Sequence, residues 1–398
     1  MCGGVMLGFY FVCLGLVLYA YLGFPVLVAV WAWVRPKTVK RADVTPSVSM
    51  VIACYNEEAG IEAKLQNLLA MDYPQERLEI LIASDGSTDA TEEIVRRYED
   101  EGVNLLCLPR GGKAQALNQA IEQASGEVLV FSDANSLYVP AAVRQLVRPF
   151  ADPEVGGVAG NQCYRKTYTA GMAKSGEQGY WSFDRLLKTL ESRAGNTISA
   201  TGAIYAIRRC LFQPVPENVT DDFVTSTRVI AQRYRLVYEP SAICYEPLAG
   251  AAKSEFRRKT RVITRGLRGV WVMRELLNPF RYGFYSIQLF SHKVLRRLVV
   301  FPLIGLAILT PCLWNVHPAF RVLTILEAMF FGLAILGAFL SKGERSLGKV
   351  LSLPFYFCLV NAAVLVAVWN LASGRKINRW DPERGQDALA IREEAASI

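Results

Sequence analysis

The stretch Val128-Leu129-Val130-Phe131-Ser132-Asp133-Ala134-Asn135-Ser136 decides how the chain is read. Val128 to Ser132 have the composition of a fully buried β-strand, and the run stops abruptly at Asp133-Ala134-Asn135. A continuous apolar strand ending in a cluster of oxygen ligands is how an open α/β sheet presents a site at its carboxyl edge. Acidic residues also end strands because turns are polar, so the flanking sequence must decide between the two.

Upstream the same grammar repeats. Ser49–Cys54 reads as a strand, Gly60–Ala70 as a helix and Leu78–Ser84 as a second strand. A helix from Asp89 to Tyr98 follows, with Asp89 and Glu92 at capping-box spacing. Val103–Leu108 is a third strand and Lys113–Ser125 a third helix. Strands alternating with helices predict βαβ units and a Rossmann-like, mainly parallel sheet. Its strand ends carry Asn56 and Glu57, then Asp85, then Asp133 and Asn135. Acid or amide oxygens at three such ends make a site the better reading.

The 398 residues are 52% hydrophobic, with a mean hydropathy of +0.21. The apolar residues fall in a block at the start and three near the end. The expected organisation is an anchor with a basic flank (1–41), an α/β domain (42–250), basic and aromatic interfacial helices (251–297), three spans (298–373) and a polar tail (374–398). Val5–Val34 carries no charge over about thirty residues, enough to cross a bilayer with tilt. Arg35, Lys37, Lys40 and Arg41 follow at once, so the positive-inside rule puts the α/β domain in the cytosol. Three further spans, near 298–316, 322–341 and 350–371, would leave the C-terminus on the opposite side, whereas Arg375-Lys376 favours the domain's side. Glu327 inside the second of them should face protein or a polar path.

The net charge of +8 suits nucleotide phosphates or acidic lipid headgroups, and also the bias of a membrane protein; nothing calls for nucleic acid. Nine cysteines without a CxxC pair argue against a disulfide framework and a zinc site, and Cys54, Cys107 and Cys163 read as small buried hydrophobes. Both histidines, His292 and His317, lie outside the α/β domain. That argues against Ser-His-Asp hydrolysis and His-ligated metals there, and leaves the chemistry to carboxylates, Lys and Arg. Past residue 151 come a small-residue run, Ser199–Ala203, and Thr220-Asp221-Asp222 ahead of the amphipathic Phe223–Ala231. The acid pair reads as a helix start or as site chemistry. Arg257, Arg261, Arg265 and Arg268 form a helical stripe with Arg258 beside Arg261, suited to acidic lipids or to a diphosphate.

Taken in order, these pieces resemble the family 2 glycosyltransferases, in the membrane-embedded branch that includes cellulose, chitin, hyaluronan and poly-N-acetylglucosamine synthases. Ile52-Ala53-Cys54-Tyr55-Asn56-Glu57 resembles the first-strand motif, and Ser84-Asp85-Gly86-Ser87 the second. Gly112-Lys113-Ala114 is similar to the basic loop near the nucleotide. Asp133-Ala134-Asn135 stands where the family has DxD, Thr220-Asp221-Asp222 where it has a TED-like triplet, and Arg258-Lys259-Thr260-Arg261-Val262 where it has QxxRW.

The resemblance implies a GT-A fold and a hexosyltransferase inverting at the anomeric carbon. Tyr55, Asn56, Glu57, Asp85, Lys113, Asp133, Arg258 and Arg261 would contact the donor, a UDP-sugar. Asp133 and Asn135 would hold Mg2+ or Mn2+, and Asp222 would be the catalytic base. The setting implied is a multi-pass protein of the bacterial inner membrane, extending a polysaccharide and exporting it through its own spans. Two departures stand out: Asn135 is neutral where DxD has its second acid, and 258–262 lacks both the Gln and the Trp of QxxRW. A single addition to a lipid-linked glycan acceptor is therefore a second expectation. A non-catalytic nucleotide-binding transport or sensing protein is the alternative from another class.

Overall fold

The computed structural model describes residues 2–164, 173–246, 252–340 and 348–375. The tail expected from residue 374 onward lies almost wholly outside the described residues.

Strand β1 (Val48–Cys54) is buried along its whole length, because it has a parallel neighbour on each side and helices over both faces. Those neighbours are β2 (Leu78–Asp85) and β4 (Val128–Phe131), in register Val48↔Leu78 and Val48↔Val128. With β3 (Val103–Leu108), β5 (Leu137–Tyr138), β6 (Val155–Tyr164), β7 (Tyr205–Arg208) and β8 (Arg235–Glu246), one sheet forms in the order β3-β2-β1-β4-β7-β6-β8-β5.

Alternate residues of β1 face opposite cores, as the period of two requires. Met50 and Ile52 pack under α3 (Ile61–Leu69), α4 (Thr91–Arg96) and α6 (Ala142–Val147). Val51 and Ala53 pack under α5 (Lys113–Gln123) and the Val229 side of α8 (Asp221–Ala231). The sheet is mainly parallel as expected, with β1–β2, β1–β4, β2–β3 and β6–β8 parallel, and β4–β7, β6–β7 and β5–β8 antiparallel in its second half. Two readings need correction. The Asp89–Glu92 capping box is not closed: Asp89 Oδ1 accepts from Thr91 N at 3.1 Å, but Glu92 is drawn off by the Ser84 hydroxyl at 2.7 Å. Cys54 is buried as expected, yet Cys107 is exposed on edge strand β3 and Cys163 only half-buried.

Among the described residues, three helices are long and apolar enough to cross a membrane, four if a bent pair counts as one. The first joins α1 (Cys2–Leu18) to α2 (Phe24–Val34) through a π-helical turn at Tyr19–Gly23. The bent pair is α10 (Phe284–Leu298) and α11 (Val300–Cys312), meeting at 46°. The span expected over 298–316 is thus a helix of only 13 residues, about 20 Å, short of the roughly 30 Å hydrocarbon core. Then come α12 (Pro318–Leu340) and α13 (Lys349–Ala372). Glu327 accepts a hydrogen bond from Thr310 at 3.0 Å, so it does face protein.

The domain is seated on these helices. α7 (Ala173–Ala194) packs Leu187 against Phe24 and Val28 of α2. Its fully buried Glu191 meets His292 Nδ1 at 2.8 Å and accepts from Ile198 N at 3.1 Å. α9 (Ala252–Val272) sets Ile263 and Leu267 against Val300, Val364 and Ala367, and Arg268 donates to the Arg375 carbonyl. The end of α13 therefore lies beside the α/β domain, which suits Arg375-Lys376 and disagrees with four full crossings.

Gly126 precedes β4 where a Cβ would fall 2.5 Å from Ser49 N and 2.7 Å from Val48 C. Backbone cannot swing aside as a side chain can. Gly126→Ala should destabilise the domain by about 1–3 kcal/mol, read as a lowered thermal midpoint of the detergent-solubilised chain; an unchanged midpoint would contradict this packing.

Candidate active site

Parallel pairing puts the ends of β1, β2, β3 and β4 at one edge of the sheet. Because β7 runs the other way, its beginning lies there too, and with it Ser199–Ile204. β6 is antiparallel to β7, and β8 parallel to β6, so both finish at this edge. The topology therefore collects Tyr55–Glu57, Gly86–Thr88, Arg110–Gly112, Ser132–Ser136, Gln162 and Glu246 along one line.

On the β1–β3 side, backbone conformation does much of the positioning. Asn56 holds a left-handed φ of +54°, which Asn tolerates better than most residues. From there its Oδ1 accepts from Thr88 N at 2.6 Å, while Ser87 Oγ accepts from Asn56 N at 3.0 Å. Glu57 N donates to Thr91 Oγ1 at 2.7 Å, completing the tie between the first and second loops. Asp85 is almost fully buried. Its Oδ1 accepts from Gly111 N at 2.7 Å and Gly112 N at 2.8 Å, and Arg110 pairs with Oδ2. The Arg110 guanidinium lies 3.4 Å from the centroid of the Tyr55 ring. Asp85 thus shapes the loop that delivers Lys113, with Tyr55 and Arg110 stacked in front of it.

The centre of the site is Lys113. Its Nζ is 2.6 Å from Asp133 Oδ1 and 3.3 Å from Asp221 Oδ2, and its side chain is 13% exposed. Burial works against its charge, but Asp133 and then Asp221 outweigh that and raise its pKa. Gly202, from the small-residue run, floors the cluster: a Cβ there would come 3.1 Å from Asp133 Oδ2 and 3.5 Å from Lys113 Nζ. Asp222 occupies the first turn of α8, where its Oδ1 accepts from Phe223 N at 2.6 Å. Burial and then the adjacent Asp221 push its pKa up to about 6, with Lys113 acting in the opposite direction. A carboxyl with that pKa is a serviceable base near neutral pH.

Asn135 is exposed beside Asp133. Among the described residues no group of three or more His, Cys, Asp or Glu side chains can hold a metal ion by itself. The oxygen donors here are the Asp133 carboxylate and the Asn135 amide. That set fits a hard divalent cation that draws its other ligands from phosphate oxygens and water. Arg258 and Arg261 lie on α9, partly exposed. One turn beyond Arg261, Arg265 Nε donates to the Val219 carbonyl at 3.0 Å, tying α9 to the segment that leads into α8. Trp271 is exposed at the end of α9 with Arg274 across its ring, and the side chain of Trp181 lies outside the described residues.

Sequence reasoning missed Arg110, Glu246 and Lys64. Glu246 accepts from Ser136 Oγ at 2.7 Å and from Gln162 Nε2; burial and then Asp133 push it up to about 7. The rule applied to β1, β2 and β4 would have found it, since it ends a strand in which Ala242 and Cys244 are buried. Lys64 is wholly buried, and burial pushes it down to about 7. Its signal was a lysine on the apolar stripe Ile61, Leu65, Leu68.

Residues 49–214, most of the α/β domain, match the model of Glycosyl transferase family 2. The poly-beta-1,6-N-acetyl-D-glucosamine synthase of Staphylococcus aureus is 31% identical over 229 residues, 54% of this chain and 55% of that protein. The enzyme of the same name from Staphylococcus epidermidis is 30% identical over 224 residues, 53% of each. The chain spans about half the length of the curated relatives it matches. A mannosyltransferase from Pyrobaculum calidifontis, solved in complex with GDP-Man and Mn2+, superposes with a TM-score of 0.67 over 92% of this chain and 100% of its own, at 23% identity. The fold is GT-A, carried on membrane helices.

The raised pKa of Asp222 sets a sign. Its folded value of about 6 lies above the usual aspartate range, so the folded state binds the proton more tightly, and this group's contribution is lost as pH rises through about 6. At pH 8 Asp222→Asn should unfold a few degrees above wild type, a shift on the order of 1 kcal/mol. The gap should close as the pH is lowered from 6 towards 4. A variant that unfolds lower at pH 8 would refute the burial cost assigned to this carboxylate.

Proposed function

We propose that this chain is a membrane-bound, inverting glycosyltransferase that moves a sugar from a UDP-sugar to a growing polysaccharide, from the cytosolic face of a bacterial inner membrane. The observation that carries the reading is the Lys113 ammonium held between Asp133 on the β4 edge and Asp221 at the start of α8. It joins the nucleotide-binding half of the sheet to the half that presents Asp222, as direct displacement between donor and acceptor requires. The relatives named as polysaccharide synthases match this same domain.

In this mechanism Tyr55, Asn56, Glu57 and Asp85 shape the nucleoside side of the site. Lys113, Arg258 and Arg261 face the diphosphate, Lys113 as a point charge and the arginines with bidentate geometry. Asp133 and Asn135 would hold Mg2+ or Mn2+, which neutralises the charge that develops on the departing diphosphate. Asp222 takes the proton from the acceptor hydroxyl as that oxygen attacks the anomeric carbon. The bond to the diphosphate breaks in the same displacement, so the configuration inverts, and the proton stays on a carboxyl whose burial already favours the neutral form.

A single addition to a lipid-linked acceptor is the second reading. Val262 favours it: this side chain is exposed and aliphatic where the polymer-making branch carries a tryptophan. Product length separates the two readings, and binding of nucleotide-sugar without turnover would dispose of both.

Purified full-length protein given UDP-sugars with Mn2+ should release UDP and yield a polymer. Asp222→Asn should reduce transfer at least about a thousandfold while retaining UDP binding, the loss expected when a base essential to an otherwise difficult proton transfer is removed. Asp222→Asn activity near wild type would reject the assignment. With two protein ligands the cation should bind weakly alone and much more tightly with UDP; equal Mn2+ affinity with and without UDP would count against the site.

A further inference from the structure

Lys64 has no part in the chemistry above, yet it is wholly buried on α3 beneath the Asp133–Asn135 turn. Its Nζ donates to Ser132 Oγ at 2.8 Å and to the Ser136 carbonyl, the two residues that bracket Asp133-Ala134-Asn135. The Tyr138 ring lies 4.3 Å below the ammonium. Tyr138 is pinned in turn, its hydroxyl donating to the Phe131 and Ala203 carbonyls at 3.1 Å each. One helical turn on from Lys64, Asn67 clamps the backbone of Tyr138 from both sides, accepting from its N–H at 2.8 Å and donating to its carbonyl at 2.9 Å.

Among the described residues, no carboxylate lies within ion-pair distance of Lys64 Nζ. A buried ammonium held by neutral oxygens and a ring is an expensive arrangement. An apolar side chain would fill the same space between Ile61 and Leu68 without that cost. What the lysine adds is geometric. It is a single donor group that spans both ends of the turn and fixes their separation from α3, the helix that begins just after the Tyr55–Glu57 loop. Other contacts also hold the turn, Ser136 N to the Asp133 carbonyl at 3.2 Å, Ser136 Oγ to Glu246 at 2.7 Å and Lys113 Nζ to Asp133 Oδ1 at 2.6 Å, but none of them ties it to α3.

We propose that Lys64 is a positioning residue. By bonding Ser132 and Ser136 it preorganises the Asp133 and Asn135 oxygens for a divalent cation and ties that turn to the nucleoside side of the site. This rests on the reading of Asp133 and Asn135 as the cation-holding pair. Groups that orient ligands in this way typically contribute ten- to a hundredfold in metal affinity.

The test is Mn2+ binding to the full-length protein in detergent, followed by electron paramagnetic resonance with UDP present, alongside thermal unfolding and the Mn2+ dependence of UDP release. Asp133→Asn should abolish the bound Mn2+ signal; if it binds as wild type does, the cation-site reading itself fails. With that control in place, Lys64→Met should weaken Mn2+ binding at least about tenfold, and saturating Mn2+ should restore most of the turnover. An effect confined to packing would instead lower the thermal midpoint and kcat without raising the Mn2+ requirement. Wild-type Mn2+ affinity in Lys64→Met would overturn the proposal. Should that variant not fold, Ser132→Ala decides the matter. It removes the acceptor of the Lys64 bond together with the hydroxyl's own bond to the Asp133 carbonyl, and should weaken Mn2+ binding about fivefold; no change there would overturn the proposal equally.

Discussion

The ammonium of Lys113, shared by Asp133 and Asp221, is the interaction on which the site depends. Three carboxylates, Asp133, Asp221 and Asp222, converge in a partly desolvated space, and like charges so placed repel strongly. One buried cation makes the cluster tenable. It does so from the first residue of α5, a position where the helix dipole disfavours positive charge, so the two acids and the lysine each offset a cost borne by the other. Asp85 reaches the same point indirectly by shaping Arg110–Gly112, the loop that delivers Lys113.

The same cluster explains the division of labour among the acids. Asp133 faces the opening with about a third of its side chain exposed and can reach a solvated ligand. Asp222 is half-buried beside Asp221, and desolvation and then that neighbour raise its pKa to about 6. Two chemically identical side chains thus acquire different proton affinity and exposure from their surroundings. Gly202 between the β4 and β7 edges leaves room for the Asp133 carboxylate and the Lys113 ammonium.

The membrane helices belong to the same construction. α9 lies between α8 and the spans, tied by Arg265 to Val219 on one side and by Ile263 and Leu267 to Val364 and Ala367 on the other. α7 does the same through Leu187 and the Glu191–His292 pair. The α8 side of the domain is thereby fixed to the long apolar helices, while β1 to β3 lie away from those seams.

Much of this was legible in the chain. The parallel half of the sheet followed from apolar runs recurring between helical segments, and the strand-end rule found Asn56, Glu57, Asp85, Asp133 and Asn135, because a strand's periodicity and its abrupt polar end are local properties. Local pattern could not say that β7 would lie antiparallel against β4, or that a 13-residue helix would bend away from its neighbour. Nor could it show that Glu246 and Lys64, distant in sequence, would close around Ser132–Ser136. Those depend on which surfaces meet. The sequence alone determined which residues stand at strand ends and that these are mostly acids and amides, with no histidine in the domain. Only the tertiary structure decided that Lys113 joins Asp133 to Asp221, and that desolvation beside Asp221 raises the Asp222 pKa, because pairing and desolvation exist only once the chain is packed.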